Sequence, residues 1–301
     1  MDDTKAADFI CGYVAVAGKP NVGKSTLINR LLNFPLSIIT PKPQTTRHRI
    51  LGILSEENWQ VIFLDSPGIM TPRYALQDLM VRSAWAAVEE ADVVLFMVEA
   101  GKDDGPDEDE AVFERLAKLD KCAILAVNKI DLVDKADLLP VIEAYAGLSL
   151  FEEIVPISAL KADGLDRLKH VVVSHLPRQA PFYPPEELTD RPQRFFVGEM
   201  IRQKVFEQYG QEIPYSTAVV IDEYSERPEA KDFIRAVIVC ERESQKGILI
   251  GKRGQALKRL GAAARADIET FIGKGAFLEL KVEVRKDWRK DERAVKRLGQ
   301  T

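Results

Sequence analysis

Gly18-Lys19-Pro20-Asn21-Val22-Gly23-Lys24-Ser25 decides the fold through its flanks. Before it runs Tyr13-Val14-Ala15-Val16-Ala17, an apolar stretch that reads as a buried strand, and after it Lys24–Leu32 reads as a helix. A glycine turn between strand and helix lets the backbone curl, so that successive N–H groups point at phosphate oxygens. The helix N-terminus adds partial positive charge at the same place. Gly18 to Thr26 is therefore read as a phosphate cradle, a P-loop. Lys24 is expected at the β- and γ-phosphates, and the Ser25 hydroxyl is expected as a Mg²⁺ ligand.

Further strands follow outward from this point. Val61–Asp65, Val93–Val98, Cys122–Val127 and Ile154–Ile157 are continuous apolar runs separated by helical stretches. Such runs predict an α/β fold with a mostly parallel sheet covered on both faces. Each carries a polar motif at its C-terminal end, where open α/β sheets bind ligands. Leu64-Asp65-Ser66-Pro67-Gly68 ends one strand. Asp65 is expected in the Mg²⁺ shell, and Gly68 is expected to offer its N–H to the γ-phosphate. Thr40–Arg49 is polar between apolar runs and suits a loop that orders around γ-phosphate and Mg²⁺. Thr45 and Thr46 are both candidates there, and Thr46 is favoured as the metal ligand. Lys24, Thr46 and Gly68 are the predicted catalytic groups.

Asn128-Lys129-Ile130-Asp131 follows the strand Cys122–Val127. A carboxylate at Asp131 accepts from both N1–H and the exocyclic amine of guanine, a donor pair that adenine lacks. Asn128 is read as contacting base and backbone, and the Lys129 stem as covering the ring. Ser158-Ala159-Leu160 is expected to present a backbone N–H to the guanine O6.

The 301 residues suffice for two domains, and 46% hydrophobic with 30% charged residues is a globular composition. No apolar run reaches the roughly 20 residues that span a bilayer. The start, Met1-Asp2-Asp3-Thr4-Lys5, is acidic and unlike a signal peptide. Cys11, Cys122 and Cys240 are far apart and sit in or beside apolar runs, which fits a reducing cytoplasm. The net charge is −5, yet Gln245 to Thr301 holds fifteen Lys and Arg against seven Asp and Glu. A basic end on an acidic chain suggests an anionic partner, or else a solvated helix face.

Residues 1–180 form the first predicted domain, and the proline-dense stretch 181–193 a linker. Residues 194–301 form a second, smaller α+β domain. In it a helix over Arg194–Tyr209 precedes strands at Thr217–Glu223 and Phe233–Glu241. Gly251-Lys252-Arg253-Gly254 is then read between the apolar run Ile248-Leu249-Ile250, taken as a strand, and a helix from Gln255 to about Ile272. A last strand is predicted at Phe277–Val284. Glycines flanking two cations before a helix suit a KH module, which clamps about four unpaired nucleotides. Lys252 and Arg253 are expected at phosphates, helped by Lys246, Lys258, Arg259 and the tail Lys286–Arg297.

The first ~180 residues resemble Ras-like GTPases of the translation-factor class, through Gly18–Ser25, Thr45/Thr46, Asp65–Gly68, Asn128–Asp131 and Ser158–Leu160. One departure is Ile69, where Ras-type enzymes carry a water-orienting glutamine. The resemblance thus implies GTP hydrolysis, and Ile69 implies that it is slow. GTPases similar to this one use a P-loop asparagine, here Asn21, to help hold K⁺ near the phosphates. Over nearly its whole length the chain resembles the Era family of bacterial GTPases. Gln44–Arg49, Asp190-Arg191 to Arg194-Phe195, Gly247–Gly254 and Trp288–Arg293 carry that likeness. It implies binding of a single-stranded segment of 16S ribosomal RNA and a role in 30S subunit assembly. It further implies a mainly cytoplasmic protein with some peripheral association with the inner membrane. Separately, the chain is expected to be a monomer.

Two other classes stand beside this reading. An RNA-binding assembly protein without GTP turnover would have no use for intact Lys24, Ser25, Asp65, Asn128 and Asp131. A membrane-surface signalling GTPase would need an amphipathic basic helix or a lipidation motif, and neither end of the sequence shows such a motif.

Overall fold

The computed structural model describes residues 8–101 and 106–299. The acidic start at residues 1–5 lies outside the described residues. Two compact units are present. The first gathers the chain up to Ser37 with Thr46–Thr71 and Met80–Asp190, and the second gathers Ile38–Thr45, Pro72–Leu79 and Arg191 onward.

In chain order the first unit begins with β1 (Ile10–Ala17) and α1 (Lys24–Leu32). β2 (Ile50–Ser55), β3 (Trp59–Asp65), α2 (Ala75–Glu90) and β4 (Val93–Glu99) follow, with the first turn of α2 belonging to the second unit. α3 (Glu110–Ala117), β5 (Cys122–Asn128), α4 (Lys135–Ala146), β6 (Glu153–Pro156) and α5 (Leu165–Ser174) complete it. The sheet order is β2-β3-β1-β4-β5-β6. All neighbours are parallel except β2, which pairs antiparallel with β3 at the edge. Buried strands need apolar residues on both faces, and Val14, Ala15, Val16, Val94, Leu95, Ile124 and Leu125 are fully buried. The strand ends at Ala17, Asp65, Glu99 and Asn128 bring the predicted motifs to one edge of the sheet.

Residues 181–190 run along this first unit. Phe182 and Tyr183 donate backbone N–H groups to Gln60 Oε1 at 2.9 and 3.0 Å, and Phe182 stacks on Tyr13. Ile53 N–H donates to the Leu188 carbonyl at 2.8 Å. Gln60 is fully buried, and its amide is satisfied because Nε2 also donates to Ser55 Oγ at 2.9 Å and to the Tyr183 carbonyl at 2.8 Å.

The second unit contains α6 (Gln193–Gln208), β7 (Ala218–Ser225), β8 (Asp232–Cys240), α7 (Glu243–Ile250), α8 (Gln255–Ile272), β9 (Ala276–Val284) and α9 (Glu292–Gly299). Its sheet is β7-β8-β9, antiparallel then parallel. Leu260, Ala264 and Ile268, four apart on α8, are fully buried and pack with Ile234, Ala236 and Ile238 of β8 in one core.

Here the sequence reading needs one correction. Ile248-Leu249-Ile250 is the end of a helix, not a strand. A three-residue apolar run fits either state. The helix wins because Gln245 Oε1 accepts the backbone N–H of Arg242 at 3.1 Å and caps its first turn, while Leu249 alone of the three is fully buried.

Candidate nucleotide site and candidate nucleic-acid loop

The phosphate end is built by burial. Gly18 and Gly23 have φ of 138° and 106°, which glycine adopts without strain. A Cβ on Gly23 would lie 2.2 Å from Asn128 Nδ2, and one on Gly68 2.6 Å from the Pro20 backbone nitrogen. The Asp65–Gly68 turn is thus pressed against the P-loop, and Ile69 N–H donates to the Gly18 carbonyl at 3.1 Å. Ser66 is fully buried and donates to the Val16 carbonyl at 3.2 Å, while Pro67 is buried beside it. Val22 is buried, Lys19 pairs with Asp109 at 3.3 Å, and Asn21 is exposed with a φ of 67°. Thr26 follows Ser25 in the first turn of α1.

Lys24 is 6% exposed and donates to the Gly18 and Lys19 carbonyls at 3.0 and 2.8 Å. Burial lowers its pKa to about 8, against the opposing pull of Asp65. Asp65 is fully buried, and burial pushes its carboxyl up while Ser37, Lys24 and Ser25 pull it down. Its Oδ2 accepts from Ser37 Oγ at 2.5 Å and from Ser25 Oγ at 3.2 Å. Ser25 Oγ lies 2.9 Å from Thr46 Oγ1. Asp65 Oδ1 is buried without a partner.

Two hydroxyls and a carboxylate with an orphaned oxygen form an all-oxygen set that suits a hard divalent cation such as Mg²⁺. Thr46, 8% exposed, is in this cluster; Thr45 has its carbonyl bound by Arg202. Ser37 was not foreseen. It lies in an irregular loop, held by Asn29 through bonds of 2.8 and 3.0 Å, and no motif marks it.

The base end forms around Asn128. Its Nδ2 donates to the Val22 carbonyl at 2.7 Å, and its Oδ1 accepts the Ala159 N–H at 2.9 Å. Both ends of this buried amide tie backbones together, so the P-loop and the Ser158–Leu160 turn are held by one side chain. Asp131 is exposed and accepts from Ser158 Oγ at 2.6 Å, which orients the carboxylate. Lys129 has a φ of 66° and pairs with Glu99 at 2.8 Å; Ile130 donates to the Ile157 carbonyl at 3.3 Å. Ala159 is buried and Leu160 is 61% exposed.

In the second unit Gly251, Arg253 and Gly254 have φ of 70°, 53° and 75°. The turn joins α7 to α8 and leaves Lys252 and Arg253 exposed. Among the described residues, Lys246, Lys252, Arg253 and Lys258 form no ion pair. The basic tail is different: Arg289 bonds Glu241 at 2.5 Å, Lys290 pairs with Asp287 at 3.0 Å, and Lys296 with Glu292 at 3.0 Å. Val295 and Leu298 of α9 are buried, so its apolar stripe is used inside its own unit.

Residues 13–129 match the 50S ribosome-binding GTPase family, and residues 212–289 match the KH domain family. GTPase Era of Geotalea uraniireducens is 48% identical over 97% of this chain and 98% of its own length. The chain belongs to the GTPase Era family. A chloroplastic GTPase ERA1 of Zea mays is 45% identical over 97% of this chain and 71% of its own. A solved Aquifex aeolicus Era variant bound to GDP.AlF4- superposes with a TM-score of 0.92 at 41% identity, covering 97% of this chain and 99% of that one. A structure of Era with MgGDPNP and nucleotides 1506-1542 of 16S ribosomal RNA has the same TM-score, identity and coverage. As an Era-family member the chain is a GTPase with a KH domain.

Proposed function

We propose that this chain binds GTP with Mg²⁺, hydrolyses it slowly, and uses nucleotide state to govern its hold on a single-stranded segment of 16S ribosomal RNA during 30S subunit assembly. The observation carrying this reading is the Ser25–Thr46–Asp65 oxygen cluster, buried at Thr46 and Asp65, in the same chain as a Gly251–Gly254 turn whose Lys252 and Arg253 are exposed and form no ion pair among the described residues. Residues 1–180 are the GTPase domain, 181–193 connect, and 194–301 bind RNA.

Lys24 would leave the Gly18 and Lys19 carbonyls for the β- and γ-phosphate oxygens, a short move because both carbonyls belong to the same loop. Ser25, Thr46 and Asp65 would hold the cation, Asp65 through its orphaned oxygen. Bound Mg²⁺ supplies positive charge at the phosphate oxygens where negative charge develops. Gly68 N–H would meet the γ-phosphate, and Asp131 would read guanine. Ile69 is 9% exposed and packs in the apolar core, so it orients no water. Slow turnover follows. Asn21, exposed at the P-loop, would help hold K⁺ and so supply part of the missing charge; a rate unchanged when K⁺ is replaced by Na⁺ removes that role.

Lys252 and Arg253 would neutralise RNA phosphates, with Lys246 and Lys258 adding to the field. Ile38–Thr45 and Pro72–Leu79 belong to the compact unit that carries this turn, which supports a dependence of RNA binding on nucleotide. The family resemblance also implies peripheral association with the inner membrane, and a monomeric state is expected. Among the described residues no helix is long and apolar enough to cross a membrane, and the buried stripe of α9 gives it no free apolar face. The test is crosslinking and sequencing of RNA bound with a non-hydrolysable GTP analogue, in wild type and Gly254→Asp. Recovery of 16S RNA that drops in the variant is expected, and equal recovery removes the RNA-binding assignment.

A further inference from the structure

Arg202 of α6 is 3% exposed, and no motif in the sequence marks it. Nε and Nη2 bond the two carboxylate oxygens of Glu199 at 2.8 and 2.5 Å. Nη2 also donates to the carbonyl of Thr45, and the group lies 5.5 Å from the Phe206 ring centre. Nη1 is buried with no partner. Burying a guanidinium with an unmet donor is costly, and a Glu–Arg pair three apart would support the helix as well at its surface. What burial adds is a fixed donor aimed at Thr45.

A second tie acts on the same segment. Lys42 Nζ donates to the Phe206 and Tyr209 carbonyls at the C-terminal end of α6, where carbonyls lack helical partners and the helix dipole favours a cation. Ile38–Thr45 and α6 lie in one compact unit, so the segment is anchored to that helix at two points. Gln44 Oε1 in addition accepts from Gln77 Nε2 at 3.1 Å, and Gln77 Oε1 accepts the Arg73 N–H at 2.8 Å. The residue directly after the clamped carbonyl is Thr46, whose hydroxyl stands 2.9 Å from Ser25 Oγ.

We propose that Arg202 is a positioning residue for GTP hydrolysis, which holds the Thr45 carbonyl and thereby fixes the Thr46 hydroxyl for the Mg²⁺–triphosphate complex. The inference rests on the Mg²⁺–GTP reading above. Arg202 touches neither nucleotide nor metal. Its effect is confined to the triphosphate state, because GDP has no γ-phosphate for the Thr46 segment to close upon.

The test compares full-length wild type, Arg202→Ala, Arg202→Lys and Lys42→Met. GDP affinity, GTP-analogue affinity, kcat, and the Mg²⁺ concentration giving half-maximal rate are measured. In Arg202→Ala, analogue affinity and kcat each fall about tenfold, as for loss of one charged hydrogen bond. The Mg²⁺ midpoint rises, and GDP affinity stays within about twofold of wild type. Arg202→Lys recovers part of the loss, since an ammonium reaches the carbonyl but does not match Glu199 as a fork. A wild-type kcat and Mg²⁺ midpoint in Arg202→Ala overturn the proposal. So does an equal fall in GDP and analogue affinity, which marks a merely structural residue. If Arg202→Ala does not fold, Lys42→Met loosens the same segment from the other anchor; the same pattern supports the proposal and an unchanged Mg²⁺ midpoint overturns it. A wild-type protein without Mg²⁺-dependent turnover would instead remove the underlying reading, and the inference with it.

Discussion

Gly23 and Gly254 each stand immediately before a helix with positive φ, 106° and 75°, beside a lysine or arginine that faces an anion in the proposed complexes. Their surroundings are opposite. A Cβ at Gly23 would strike the Asn128 amide at 2.2 Å, while a Cβ at Gly254 would meet nothing within 4 Å. Lys24 is buried and bonded to its own loop, whereas Lys252 and Arg253 are exposed and unpaired. The first turn is therefore shaped by the protein's own packing. The second is held open, and its need for glycine comes from backbone geometry and from whatever approaches it. A preformed turn loses everything when altered, and an open one loses only its ligand.

The largest effect that would sharpen this contrast belongs to Gly23→Ala. Displacing Asn128 breaks its bonds to Val22 and Ala159 together, so a destabilisation of about 3 kcal/mol is expected. Calorimetry of the thermal midpoint and nucleotide titration check it; a wild-type midpoint would break the comparison. Asp131→Asn comes next. It replaces an acceptor by a donor against guanine, so GTP affinity falls about a hundredfold while xanthosine triphosphate binding improves. Competition titration of the two nucleotides reads this directly, and unaltered preference would remove Asp131 from base recognition.

Gly254→Asp follows. A carboxylate among phosphates and a side chain in the left-handed region weaken RNA binding by about tenfold. The thermal midpoint shifts by no more than a few degrees, since about 1 kcal/mol of backbone strain is the only cost in the free protein. A large loss of stability there would contradict the open-turn account.

The smallest effect is in pH. Lys24, at about 8 in the free protein, must be protonated to meet phosphate, and the phosphates hold its proton in the complex. The bound state thus carries more protons, so affinity is level below pH 8 and declines above it. The loss should reach about tenfold between pH 7 and pH 9, seen by titration across that range.

Much of the nucleotide site was legible because its chemistry requires particular residues at strand ends. Gly18, Gly23, Lys24, Ser25, Asp65 and Asn128 stand where a buried strand stops and polar groups must be satisfied. α1 and α8 were likewise readable from their apolar spacing and flanking glycines. Ser37, Gln77 and Arg202 were not, because the partner that ties each of them to the site region (Asp65, Gln44 and Thr45 in turn) lies far away in the sequence. Nothing local separates Arg202 from other helix arginines. β2 escaped for another reason: as an antiparallel edge strand it breaks the alternation of strand and helix from which the sheet was inferred. Ile248-Leu249-Ile250 misled because so short an apolar run carries no period.

RNA affinity in three nucleotide states tests the central claim most directly. An oligonucleotide of nucleotides 1506-1542 of 16S ribosomal RNA is titrated into the protein with GTP analogue, with GDP and without nucleotide. The account predicts different affinities, with reciprocal changes in nucleotide affinity on adding RNA. Equal affinities in all three states would contradict it.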